Sequence, residues 1–245
     1  MGGTKDVFPT TRWSEILKIG TLDETRRKTV INELLRRYWK PVYCYLRHKG
    51  YANEPAKDLT QGFFCEIVLN HELIQRADQA RGRFRTFLLT ALDHYVSSVH
   101  RKETAKKRMP IDGVRQMEGT DLPAAPSEMR PDQVFCYAWA TAFLDEVMAQ
   151  VKQECHHTNT SIYWEVFREK IVTPILEDTE PPPLAVICAK YGIDGGSKAS
   201  NMIVTVKRRF RAAIERCLRE VVKSDSEVEE ELNDLLKILC ESGAG

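Results

Sequence analysis

FRTFLLTALDHYVSSV, residues 84–99, is the stretch on which the fold turns. Its apolar residues fall at Phe84, Phe87, Leu88, Ala91, Leu92, Tyr95 and Val99. That is the i, i+3, i+4, i+7 rhythm of a helix with one buried face, sustained for more than four turns. Upstream, Pro55 opens a second run of the same kind, with Ala56, Leu59, Phe63, Phe64 and Ile67 at helical spacing; proline is well placed in a first turn. A third run carries Val30, Leu34, Leu35 and Tyr38. Pro41 is expected to end or kink it, Val42, Tyr45 and Leu46 continue its apolar face, and Gly50 is a stop. Thr10 and Thr11 precede Trp13, Ile16 and Leu17, a short capped amphipathic segment.

Downstream, the periodicity stops between residues 109 and 131, where Pro110, Gly113, Gly119, Pro123, Pro126 and Pro131 break up a stretch of acidic and small residues. Such composition reads as a flexible linker. Helical spacing resumes at about residue 134 (Phe135, Ala138, Trp139, Ala142, Phe143, Val147) and again over 162–176. Pro181, Pro182 and Pro183 form a stiff joint. A short helix over 184–190, a turn at 192–196, a basic helix over 198–223 and an acidic tail with Leu232, Leu235, Leu236 and Leu239 complete the chain. Convincing alternating strands are absent. The expectation is an all-α protein of two helical domains: an N-terminal helical extension (1–29), a first domain (30–108), a linker (109–133), a second domain (134–223) and the tail (224–245).

Composition narrows the function classes. Of 245 residues, 42% are hydrophobic and 29% charged, enough to build cores and too apolar for wholesale disorder. No run reaches the roughly 18–20 apolar residues of a membrane span, so no membrane association is expected. The N-terminus has no apolar h-region, and Gly2 and Gly3 do not give a myristoylation pattern, because the position that needs Ser or Thr holds neither. The seven cysteines are scattered without a CxxC pair, which points to a reducing cytoplasm and away from a disulfide framework or a Cys-rich zinc site. Phosphate-loop, dinucleotide, HExxH and GxSxG motifs are all missing. Cys155-His156-His157 is a poor metal set, because neighbours in a helix point to different faces. Neither a catalytic site nor a cofactor nor a metal is expected.

The charge is sorted. Residues 81–108 hold eight basic and two acidic side chains, a net +6, and residues 198–223 repeat that balance. The linker and tail hold the compensating acid. Two basic helices joined by a linker can grip a polyanion at two places, with binding that falls steeply with salt; on composition alone they are equally solvated helix faces. The second segment has more context. An apolar-faced helix ends at Gly192, a turn follows, and a basic helix begins with a polar N-terminus, the layout of a helix-turn-helix. There the second helix enters the major groove and its first residues, Ser197, Lys198, Ser200 and Asn201, meet base edges. Asn can pair with adenine and Lys can reach guanine acceptors. Many αα-hairpins share this layout and simply pack.

Three motifs occur in a recognisable order: YWKPVYCYL at 38–46, DLTQGFF at 58–64, and RGRFRTFLLTAL at 81–92 with the basic end at 101–108. Followed by a linker and a helix-turn-helix, they resemble the sigma-70 family of bacterial RNA polymerase sigma factors, in its small extracytoplasmic-function branch. The stretch FPTTRWS at 8–14 and the acidic tail resemble a subgroup with a C-terminal extension. The resemblance covers about residues 8–223. It implies that the first domain is a region 2 bundle whose Asp58, Leu59, Gln61 and Phe64 dock on the polymerase β′ clamp helices. Arg83, Arg85, His94, Ser97, Ser98, Arg101, Lys102, Lys106, Lys107 and Arg108 would meet the −10 element. Phe84, Phe87 and Tyr95 stay in the core. The second domain would be region 4, contacting the β flap and reading the −35 element through Ser197, Lys198, Ser200, Asn201, Thr205, Lys207 and Arg208. Core RNA polymerase and promoter DNA are the implied partners, with an anti-sigma factor as a further candidate. Three positions depart from the pattern: Gly62 replaces a commonly acidic residue, Thr205 lies near a usually basic one, and Gly195-Gly196-Ser197 gives a turn that reads longer than usual.

Asp58, Gln61 and Cys65 fall at i, i+3 and i+7, one polar stripe beside the apolar face, with Phe64 as an aromatic anchor for a partner. The rival readings are a stand-alone helix-turn-helix regulator that ignores polymerase and a sigma-like module that titrates a regulator. The tail's acids could also cover one of the basic helices.

Overall fold

The computed structural model describes residues 21–69, 84–106, 129–219 and 225–242. The segment around Trp13 and residues 109–128 of the expected linker lie outside these. The described residues are all-α, with no strand among them. The helices are α1 (Glu24–His48), α2 (Asn53–Leu69), α3 (Phe84–Lys106), α4 (Pro131–His157), α5 (Ser161–Phe167), a π-helical segment (Arg168–Val172), α6 (Thr173–Glu177), α7 (Leu184–Tyr191), α8 (Gly196–Arg219) and α9 (Asp225–Ser242). Contacts divide the chain into two units, Met1–Ala142 with Arg219–Gly245, and Phe143–Leu218.

In the first unit, α1 starts where Asp23 caps it, its carboxylate accepting from the Arg26 amide at 2.9 Å. Pro41 neither ends the helix nor separates two helices: α1 runs unbroken to His48. Proline deletes one N–H and crowds one carbonyl. Burial on both sides of it, at Tyr38, Pro41, Val42, Tyr45 and Leu46, holds the helix across that gap. The stop is at Gly50, as its position implies: φ is +94°, the Gly50 amide donates to Arg47 O and the Tyr51 amide to Leu46 O. Those paired bonds are a Schellman closure, which needs the left-handed residue glycine supplies.

The core of this unit joins α1, α2 and α3 to the first half of α4. Tyr38 meets Phe84 edge-on at 5.3 Å, Phe63 meets Tyr95 at 5.6 Å, and Tyr45 meets Phe135 edge-on at 6.5 Å. Tyr45 also donates to Asp93, which accepts from Lys49 Nζ at 2.6 Å, so α1 and α3 share a polar clasp. α4 starts at Pro131, ahead of the periodic pattern. Gln133 reaches back to the Arg130 amide at 2.9 Å, and Met129 packs on the Cys44, Val134, Ala138 cluster. These are the reciprocal arm of a capping box and a hydrophobic staple.

In the second unit, Trp164, Phe167 and Phe210 form a chain of rings over a core that includes Val147, Val151, Ile187, Met202 and Val206. The prolines at 181–183 stay outside any helix, and Pro183 has the extended torsions (φ −58°, ψ 142°) of a polyproline joint. Glu169, in the π segment, accepts from Lys190 Nζ and the Tyr191 hydroxyl, both at 2.8 Å. These bonds from α7 hold its carboxyl below the usual range.

Candidate functional site

The stripe expected on α2 is there. Asp58, Gln61 and Cys65 are all exposed and Leu59 is half-buried. Phe64 differs from expectation: at 2% exposure it belongs to the core beside Phe63 and offers no anchor to a partner. The physical reason is its register, since Phe64 lies at i+4 from Thr60 and i+8 from Ala56, both buried. The aromatic surface at this spot comes from α1 instead. Trp39 lies nearly parallel to Phe64, with ring centres 6.1 Å apart, and is 37% exposed. Gly62 also finds a reason: a Cβ there would collide with the Tyr95 hydroxyl of α3.

On α3, Thr86, Thr90, His94, Ser97 and Arg101 form one exposed stripe, and Lys102 flanks it. Three of the residues expected at the −10 element are therefore brought together. The Ser97 hydroxyl donates to Asp93 O and the Ser98 hydroxyl to Tyr95 O, both at 2.8 Å, so each presents its oxygen as an acceptor. The Lys106 side chain, Arg83, Lys107 and Arg108 lie outside the described residues.

Arg85 is the clearest correction. It is 6% exposed and does not reach solvent as a DNA-contacting cation would. It lies in register with Leu88, Leu92 and Val96, all on the buried face of α3. Its guanidinium pairs with Glu231 and, at 3.3 Å, with Asp234, both on α9. The same group stacks over the Trp139 ring of α4 at 4.5 Å. Burial raises the pKa of the neighbouring Tyr38, against the opposing pull of Arg37 and Arg85. Arg85 is thus where α1, α3, α4 and α9 meet.

In the second unit, α7 closes at Gly192 in the left-handed region (φ +62°), and the Ile193 amide bonds back to Cys188 O at 2.9 Å. Gly195 has φ +90° and Gly196 already begins α8. The turn is therefore the four residues 192–195, and the longer turn expected from Gly195-Gly196-Ser197 does not form. This length is ordinary for a helix-turn-helix. Ser197, Asn201, Val204, Arg208 and Arg211 make one exposed stripe along α8, with Lys198 and Lys207 exposed beside it. Ser200 and Thr205 are half-buried, and Thr205 donates to Asn201 O at 2.8 Å. Arg209 turns inward instead, donating to Thr160 Oγ1 at 2.8 Å and to Cys155 Sγ at 3.2 Å. Cys155 is buried while His156 and His157 face solvent, the divergence expected of neighbours on a helix. Among the described residues no helix is long and apolar enough to cross a membrane.

Sequence reasoning missed Trp39, Val204 and the Glu231–Asp234 pair. The last had a signal. Glu231 lies between Val228 and Leu235 on the buried face of α9, as Arg85 lies on that of α3. Opposite charges each caught in an apolar stripe call for one another. Comparison of the chain with protein families, with curated proteins and with solved structures found no match.

Proposed function

We propose that this chain is a sigma-type transcription initiation factor, in which the first unit engages core RNA polymerase and an opened −10 element and the second reads a −35 element. It recruits and positions and catalyses nothing itself. The observation that supports this best is the α7–turn–α8 unit. A four-residue turn with two left-handed glycines is followed by a helix whose open stripe runs from small polar side chains to arginines. Ser197, Lys198 and Asn201 suit base edges, while Lys207, Arg208 and Arg211 suit phosphates. On α2, the exposed Asp58 and Gln61 offer a polymerase subunit hydrogen bonds, with Trp39 as the aromatic neighbour.

The test is initiation in vitro by bacterial core enzyme supplied with this protein. Discrete start sites preceded by a shared pair of elements support the reading, and Asn201→Ala should relax preference at one −35 position by about 1–3 kcal/mol. Initiation indistinguishable from core enzyme alone would overturn it. One observation favours a stand-alone helix-turn-helix regulator: with Phe64 buried, the polymerase-docking motif lacks the aromatic anchor assigned to it. Sequence-specific duplex binding without any association with core enzyme would establish that reading.

A further inference from the structure

The first unit buries an arginine on a helix expected to face DNA, and covers it with a strongly acidic helix. α9 holds seven acidic side chains against one basic, a net −6 over Asp225–Ser242. Its inward face is Val228, Glu231 and Leu235, at 6%, 3% and 1% exposure. A purely structural amphipathic helix would place an apolar residue at 231. Instead two carboxylates bracket one guanidinium that is already stacked on an indole. Carboxylates disposed around an arginine reproduce the oxygens of a phosphodiester, and the arginine fork takes either.

We propose that the Arg85–Trp139 surface is a nucleic-acid phosphate site and that α9 is its internal competitor, held there by Glu231 and Asp234. The proposal rests on the DNA-binding reading given above and adds to it where and by what the first unit is gated. Displacement of α9 exposes Arg85 beside the Trp139 ring, on the side of α3 away from the His94, Ser97 and Arg101 stripe. A covered site binds with an affinity reduced by the fraction of time it is open. A cap closed about nine-tenths of the time therefore weakens binding about tenfold.

The experiment uses the full-length chain and a fluorescent mixed-sequence single-stranded DNA 20-mer, with anisotropy read over a series of salt concentrations. Glu231→Gln with Asp234→Asn should tighten binding about tenfold and steepen the salt slope by about one. Adding Arg85→Gln should abolish that gain. Equal affinity for the folded double variant and the parent, with binding still weakened by Lys207→Ala and Arg208→Ala, would overturn the competitor and leave the DNA-binding reading standing. Failure of every variant to bind would overturn both. Should the double variant misfold, hydrogen exchange on the parent decides. Saturating DNA should deprotect α9, and unchanged protection there would contradict the proposal.

Discussion

Gly62 and Phe64 show how much depends on a single register. Alanine at 62 should gain about 1 kcal/mol of helix propensity, yet its Cβ meets the Tyr95 hydroxyl, and overpacking of this kind costs roughly 1–3 kcal/mol. Gly62→Ala should therefore destabilise the protein in urea titrations. Tyr95→Phe should rescue it, because the ring carbon behind the hydroxyl would sit at 3.5 Å, an ordinary contact. Stabilisation by Gly62→Ala alone would mean that Tyr95 does not pack there. Phe64→Ala should cost about 3–5 kcal/mol as a buried ring. Asp58→Ala and Gln61→Ala, on the exposed stripe, should change stability by about 0.5 kcal/mol or less. They are therefore the clean probes of partner binding. This scale is the least legible in the sequence. Periodicity finds the apolar stripe of α3, Leu88 and Leu92 included, but takes in Phe87 and Tyr95, both half-buried, and leaves out Val96 and Arg85, both buried. That small rotation carries Arg85 from the surface to the core.

Elements are more legible than residues, because their signals repeat. Gly50 and Gly192 mark helix ends in the sequence and close them in the structure through left-handed backbone. Pro41 does not end its helix, because propensity is local and the packing around it is not. Some cross-helix polar contacts leave no trace in any pattern. The Tyr45–Asp93–Lys49 clasp is one, and it makes a pH prediction. Burial and the bond to Asp93 push the Tyr45 hydroxyl up to about 12. A group whose folded pKa is raised contributes stability in full below its unfolded pKa, about 10 for tyrosine, and loses it as pH rises through the folded value. Stability should thus fall between about pH 10 and pH 12, and Tyr45→Phe should flatten that part of the profile in denaturant titrations. On α8, Arg208→Ala should lower the salt slope of DNA binding by about one. Arg209→Ala should leave that slope unchanged and lower the melting temperature instead, because Arg209 holds Thr160 and Cys155 within its own unit.

For the whole molecule, near-neutral net charge conceals opposed segments, and the order of residues alone displays that sorting. An acidic tail that could cover a basic helix is legible there too, and α9 does meet Arg85 of α3. Glu231 between Val228 and Leu235 marks a charge in need of a partner, but packing decides that the partner is Arg85, 149 residues before Asp234. A buried ion pair that loses one member costs about 3–5 kcal/mol when the survivor stays buried. Where the covering helix can leave, the loss is limited to its undocking and appears as local opening. Glu231→Gln should therefore raise hydrogen exchange in α9 and leave α1–α3 protected. The central claim, that this chain works on RNA polymerase, is tested most directly by co-migration with bacterial core enzyme on a sizing column. The account predicts a stoichiometric complex that is lost when Asp58 and Gln61 are both changed to alanine. A folded chain that elutes apart from core enzyme, or a complex indifferent to those two substitutions, would contradict it.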